Sequence, residues 1–173
     1  MEALLRKHIR DVPDFPKPGI IFKDITPLLQ NPEIFKGIIR AFKERYAVQK
    51  IDAIVGIESR GFLFGAPLAH ELGAAFVPIR KKGKLPYQTV TMSYDLEYGS
   101  ATIEMHIDAV AQGHKVVVVD DLLATGGTAE AACKLIECQG GHVIECAFVV
   151  ELAFLGGREK MGARNVYSLI TYS

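Results

Sequence analysis

Val116-Val117-Val118-Val119-Asp120-Asp121-Leu122-Leu123-Ala124-Thr125-Gly126-Gly127-Thr128 is the stretch on which the reading of this chain turns. Four consecutive valines suit a strand buried on both faces, as in a parallel sheet covered by helices. The two carboxylates stand where such a strand is expected to end. A short run of small and hydroxylated residues follows. Then comes 129–139, a helical stretch with Ala132, Leu135 and Ile136 on one side and Gly140-Gly141 as its stop. The order is strand, acidic tip, small-residue loop, helix. A helix N-terminus behind such a loop offers unpaired backbone N–H groups and the positive end of the helix dipole to an anion, most often a phosphate. Gly126 and Gly127 let the backbone close around it, and Thr125 and Thr128 add hydroxyl donors. The stretch contains neither Gly-Lys-Ser/Thr nor Gly-x-Gly-x-x-Gly, so it is neither of the two common nucleotide loops. Asp120-Asp121 alone is compatible with a solvated acidic turn. Joined to this loop and helix, the pair points to ribose hydroxyls to be gripped, a hydrated Mg²⁺ to be held, or both.

The remainder of the chain repeats the pattern. Residues 51–57 read as a strand, ending in Glu58-Ser59-Arg60-Gly61-Phe62, with a helical run to Leu72 and Gly73 as its stop. Residues 75–79 form a third strand that runs into Arg80-Lys81-Lys82-Gly83-Lys84-Leu85-Pro86, the densest positive cluster. Such alternation predicts an α/β fold: a mostly parallel central sheet flanked by helices, with right-handed crossovers. Residues 86–105 read as a β-hairpin excursion with arms at 89–94 and 101–105, a candidate lid. Residues 143–150 form a buried strand tipped by Glu151-Leu152, while 165–172 alternates more and suits a sheet edge. At the start, 1–9 can form a short helix, 14–19 breaks regular structure, and 20–25 is a short apolar run around Phe22. Asn31-Pro32-Glu33 opens a helix whose Ile34, Phe35, Ile38, Ile39 and Phe42 face the sheet.

At 173 residues the chain fits a single domain, and nearly half of it is apolar. Lys+Arg and Asp+Glu balance at 20 each, so nothing global recruits nucleic acid or an anionic membrane. No apolar run has transmembrane length and the first residues lack a signal-peptide core, which makes a cytoplasmic location the expectation. Cys133, Cys138 and Cys146 read as reduced thiols, and the five histidines show no metal spacing.

The central stretch resembles the phosphoribosyl-pyrophosphate (PRPP) signature of type I phosphoribosyltransferases, and its wording is similar to that of the adenine-specific members. Three other segments extend the resemblance over most of the chain: Phe15-Pro16-x-Pro18-Gly19-Ile20-x-Phe22-x-Asp24-Ile25, Glu58-Ser59-Arg60-Gly61-Phe62, and Ser93-Tyr94-x-Leu96-Glu97-Tyr98-Gly99. The resemblance implies a type I phosphoribosyltransferase fold with a small N-terminal hood in 1–30 and a flexible catalytic hairpin in 86–105. It implies transfer of the 5-phosphoribosyl group from PRPP to N9 of adenine, giving AMP and pyrophosphate, with Mg²⁺ held mainly by PRPP and water. Ala124 to Thr128 would cradle the 5′-phosphate, and Asp120 and Asp121 would hold the ribose. Glu58, Ser59, Arg60, Arg80, Lys81, Lys84 and Tyr98 would meet pyrophosphate, with a non-proline cis peptide at 58–59. Phe22 would stack on the base, Ile20, Ile21 and Lys23 would meet its edge through their backbone, and Leu152 would lie opposite. Glu97 would carry acid/base duty. A homodimer is implied, with the pyrophosphate loop near the subunit interface. The same pocket can also serve a PRPP-sensing regulator, and a xanthine or guanine transferase is the enzymatic alternative. A DNA- or RNA-binding sensor would be expected to carry a helix-turn-helix extension or a basic face, which this neutral chain lacks.

Overall fold

The computed structural model describes residues 1–96 and 99–173. In chain order the elements are α1 (Glu2–His8), β1 (Arg10–Pro13), β2 (Ile21–Asp24), α2 (Thr26–Gln30), α3 (Pro32–Tyr46), β3 (Ala53–Ile57), α4 (Arg60–Leu72), β4 (Ala75–Lys81) and β5 (Thr89–Asp95). They continue with β6 (Ser100–His106), β7 (Lys115–Leu123), α5 (Gly127–Cys138), β8 (His142–Leu152), a 3-10 turn (Ala153–Leu155), α6 (Gly157–Lys160) and β9 (Val166–Tyr172). Seven strands form one sheet in the order β5-β6-β4-β3-β7-β8-β9, and β1 pairs with β2 apart from it. The five strands from β4 to β9 in that order are parallel, and β5 and β6 join antiparallel at one edge.

The four valines divide between two cores, as a period of two residues requires. Val117 and Val119 meet Ile38 and Phe42 of α3 and Phe64 and Leu68 of α4. Val116 and Val118 face the opposite side, with Ala132, Leu135 and Ile136 of α5 and Met105 of β6. Helix α3 starts as its sequence predicts: the Asn31 side chain accepts from the backbone N–H of Glu33 at 3.1 Å and of Ile34 at 3.2 Å, and Pro32 opens the first turn. Gly73, at φ +65°, closes α4.

Three elements differ from the sequence expectation. Strand β7 does not stop at the acids but carries both within it, to Leu123. Its pairing is one-sided there: contact with β3 ends at Gly56↔Val119, whereas β8 continues through Leu122↔Val150 and Leu123↔Glu151. Helix α5 begins at Gly127 rather than 129, so Gly127 and Thr128 form its first turn. The hairpin docks on the main sheet, where β6 pairs with β4 at Arg80↔Glu104 and Lys81↔Ile103.

This topology positions the site. Helix α4 joins β3 to β4 on one face, and α5 joins β7 to β8 on the other. Strand order therefore reverses between β3 and β7. In open α/β sheets, ligands bind at such a switch, in the crevice beyond the carboxyl ends of the strands.

Candidate active site

The 124–128 loop leaves β7 and enters α5 at this crevice, together with Arg60 and the acidic pair. No side chain caps α5; its N-cap is Gly126 at φ +81°. A Cβ on Gly126 would come within 2.6 Å of the Gly157 carbonyl oxygen, and one on Gly157 would collide with that of Ala124. The loop is thus pressed against the Gly156-Gly157 turn by two bare backbones, and its residues line the crevice. Thr125 is exposed. The Thr128 hydroxyl bonds the Tyr94 hydroxyl of β5 at 3.0 Å, tying the hairpin to the cradle.

Asp120 and Asp121 sit beside the loop. The Asp121 N–H donates to Asp120 Oδ1 at 2.8 Å, and Arg60 Nε lies 3.0 Å from Asp121 Oδ2. Asp121 is 2% exposed, and among the described residues its Oδ2 has no aligned hydrogen bond. Burial pushes the Asp120 carboxyl well above its ordinary range, and the neighbouring Asp121 charge adds to that. Burial raises Asp121 too, with Arg60 opposing. Arg60 reaches the pair because Gly61 lets the first turn of α4 lie on the strand: a Cβ there would stand 2.6 Å from the Val119 carbonyl oxygen. Sequence reasoning quoted Gly61 but assigned it nothing.

The β1–β2 pair forms the roof. Phe22 is half-buried, with Phe15 edge-on at 5.2 Å and the Arg60 guanidinium carbon 5.6 Å from its ring centroid. Arg60 therefore touches the acidic pair and lies against the aromatic roof. Ile20 and Ile21 are exposed. The Lys23 ammonium is committed to Asp11 at 2.6 Å and to the Tyr172 ring at 4.3 Å, which leaves its backbone as what it can offer a ligand. Leu152 is buried at the end of β8, beside Tyr172 in register.

The second loop follows β3. The peptide between Glu58 and Ser59 is cis. The Glu58 carboxylate is taken up by the basic loop: it accepts from Arg80 Nε and Nη2 at 3.2 Å each and from the Lys81 N–H at 2.8 Å. Burial would raise this carboxyl, but those donors outweigh it and hold it below its usual range. Glu58 thus acts on the basic loop, and Arg80 is engaged by it. Lys81 and Lys84 are exposed. Glu97 and Tyr98 lie outside the described residues, so their expected roles rest on the resemblance alone.

One feature of the site was not foreseen. The 156–160 segment, to which the sequence analysis assigns no part, is the wall against which the cradle packs. Arg158 holds it, donating to Glu151 through Nε at 2.8 Å and Nη2 at 2.5 Å and to the Val166 carbonyl at 2.9 Å. Glu151 is 2% exposed and also accepts from Ser168. The Gly-Gly pair was the only sequence signal, and a loop's partner across the fold leaves no local trace. Among the described residues no three His, Cys, Asp or Glu side chains gather into a metal cage. Nor is any described helix long and apolar enough to cross a membrane.

Comparison with known proteins agrees with this geometry. The phosphoribosyl transferase domain family matches residues 24–170. An adenine phosphoribosyltransferase of Chloroflexus aurantiacus is 58% identical over 168 residues, 97% of each chain. A crystal structure of the Thermoanaerobacter pseudethanolicus adenine phosphoribosyltransferase superposes with a TM-score of 0.95 at 50% identity, covering 98% of this chain and 99% of that one. The Saccharomyces cerevisiae adenine phosphoribosyltransferase, solved with adenine and an imino-altritol bisphosphate, gives 0.92 at 44% identity over 96% and 97%. With relatives this similar over nearly its whole length, the chain belongs to the adenine phosphoribosyltransferases of the phosphoribosyl transferase domain family.

Proposed function

We propose that the chain transfers the 5-phosphoribosyl group of PRPP to N9 of adenine, releasing pyrophosphate and forming AMP in purine salvage. One observation carries this reading to the residues. At the switch point Arg60 contacts Asp121 and lies against Phe22, so a sugar grip and a base platform stand within one guanidinium's reach. The cradle at the start of α5 lies beside them and suits the 5′-phosphate. As the C1–O bond to pyrophosphate breaks, positive charge develops on the ribose ring and negative charge on the leaving group. Arg60, Lys81 and Lys84 supply positive charge to that group. Asp120 and Asp121 accept from the ribose hydroxyls. Phe22 stacks on the purine, with the backbone of Ile20, Ile21 and Lys23 at its edge and Leu152 opposite. Glu97 manages the proton of the imidazole ring as N9 attacks, and Tyr98 closes over the pyrophosphate.

The acidic pair suits a hydrated cation, because two carboxyls adjoin beside the crevice and, among the described residues, only Asp121 Oδ2 of the pair is ion-paired, with Arg60. When bound with PRPP, Mg²⁺ supplies neutralisation of the diphosphate charge. Asp120 and Asp121 are the residues that would reach its water shell. A homodimer is supported by Leu63 and Tyr87, large side chains near the two pyrophosphate loops that are 42% and 56% exposed. A cytoplasmic location is supported by three free cysteines.

The reading is tested by adding PRPP and Mg²⁺ with radiolabelled adenine, guanine or xanthine in turn. Labelled AMP from adenine is expected. Label passing preferentially from guanine or xanthine, or from none, sinks it.

A further inference from the structure

Glu104 of β6 is a carboxylate with 3% exposure that no step of the reaction uses. Its Oε1 accepts the backbone N–H groups of Lys84 at 2.9 Å and Leu85 at 2.8 Å, and its Oε2 stands 3.4 Å from the Thr89 hydroxyl. Burial would raise this carboxyl, yet the amides of Leu85, Gly83 and Lys84 hold it below its usual range, so it stays ionised. Successive amides turned inward behind a glycine at φ +85° form an anion nest, and here the chain's own carboxylate fills it. The other end of Lys84 is gripped as well. Its carbonyl accepts from Arg80 Nη1 at 3.3 Å, and the Arg80 guanidinium is held by both oxygens of Glu58. Lys82 N–H bonds the Thr102 carbonyl at 3.0 Å. The segment has no regular secondary structure of its own between β4 and β5, so these contacts are what shape it.

We propose that Glu104 is a positioning residue for the leaving-group subsite: by clamping the amides of Lys84 and Leu85 it fixes where the Lys81 and Lys84 ammonium groups stand. The inference rests on the reading of this loop as the pyrophosphate site. It makes a prediction opposite in sign to simple electrostatics. A negative charge under a basic loop lowers its attraction for an anion, so removing that charge tightens pyrophosphate unless geometry matters more.

Two variants separate these effects. Glu104→Gln keeps the shape and loses the charge; Glu104→Asp keeps the charge and loses the reach. Calorimetry with magnesium pyrophosphate is expected to show both binding about tenfold more weakly than the parent, the worth of one charge-assisted hydrogen bond. Hydrogen exchange at the Lys84 and Leu85 amides should quicken, PRPP KM should rise, and adenine KM should hold. Should Glu104→Gln fail to fold, Glu104→Asp carries the same test. Unchanged or tighter pyrophosphate binding in the folded variants overturns the proposal, provided that Lys84→Ala weakens it. If Lys84→Ala binds pyrophosphate as the parent does, the subsite assignment itself falls, and the proposal with it.

Discussion

Asp120 sets binding against stability within one side chain. Its folded carboxyl is raised above the unfolded value, first by burial and then by the Asp121 charge. The native chain therefore holds more protons than the unfolded one between the ordinary carboxylate range and the raised value. By linkage, stability falls as pH rises through that window, so at neutral pH burying this carboxyl is a net cost. Asn in place of Asp120 cannot ionise. Asp120→Asn is expected to raise stability at pH 7–8 by about 1 kcal/mol, the usual gain from relieving a functional group, and by less at pH 4. It should also lower kcat/KM for PRPP by about tenfold or more, since a charged acceptor for a ribose hydroxyl is lost. Thermal melts at the two pH values and steady-state kinetics check both halves. A variant destabilised at neutral pH would show that the pair is not strained in the free protein.

The phosphate cradle depends on an element from elsewhere in the chain. The 124–127 backbone meets the Gly156-Gly157 turn with no side chain between them, and Arg158 fixes that turn to Glu151 and Val166. A methyl group on Gly157 must displace either the turn or Ala124. Because Arg158 anchors the turn while no side chain caps α5, the cradle is the part that gives way. Gly157→Ala is expected to cost about 1–3 kcal/mol of stability, as overpacking does. PRPP KM should rise by about tenfold, in line with misplacing a binding loop by a fraction of an ångström. Adenine KM should change far less, because Phe22 sits on a different element. Equal rises in both would mean that the whole crevice is disturbed and that the turn does not act on the cradle alone. This coupling was invisible in the sequence for the same reason that β1 was. Arg10-Asp11-Val12-Pro13 has no apolar alternation, and it is a strand because it pairs along its length with β2, Val12 opposite Phe22. What could be read locally was read: the valine run, the Asn31 cap and the Gly73 stop each state their structure within a few residues. The same limit applies to Glu58 and Glu104. Their residue type suggests ligand chemistry or solvent, and only the fold turns them onto the basic loop.

Across the whole molecule, the sheet separates two cores that share few side chains, and the crevice is where both reach a ligand. Arg60 opens α4, which packs with α3 on one face, and Phe22 of β2 lies against Arg60; the cradle opens α5 on the opposite face. The order of strands alone fixes this, because a parallel sheet whose connections switch faces must leave its loops splayed at the switch. A ligand that spans the crevice therefore joins the two halves, while a fragment touches one. AMP at about a hundred times its dissociation constant is expected to stabilise the folded chain by about 2.7 kcal/mol. For a domain of this length that raises Tm by about 5–10 °C. Ribose 5-phosphate should give a smaller rise at equal concentration, since it reaches only the cradle and the acidic pair. Removing the metal separates the substrates further. EDTA is expected to abolish most of the rise given by PRPP, whose diphosphate then faces the acidic pair without neutralisation, and to leave that of AMP nearly intact. A scanning-fluorimetry series with the three ligands, each with and without EDTA, distinguishes the outcomes. If PRPP stabilised the chain equally with the metal removed, the carboxylates at 120 and 121 would be meeting sugar hydroxyls alone, and the positive charge of Arg60, Lys81 and Lys84 would suffice to hold the diphosphate.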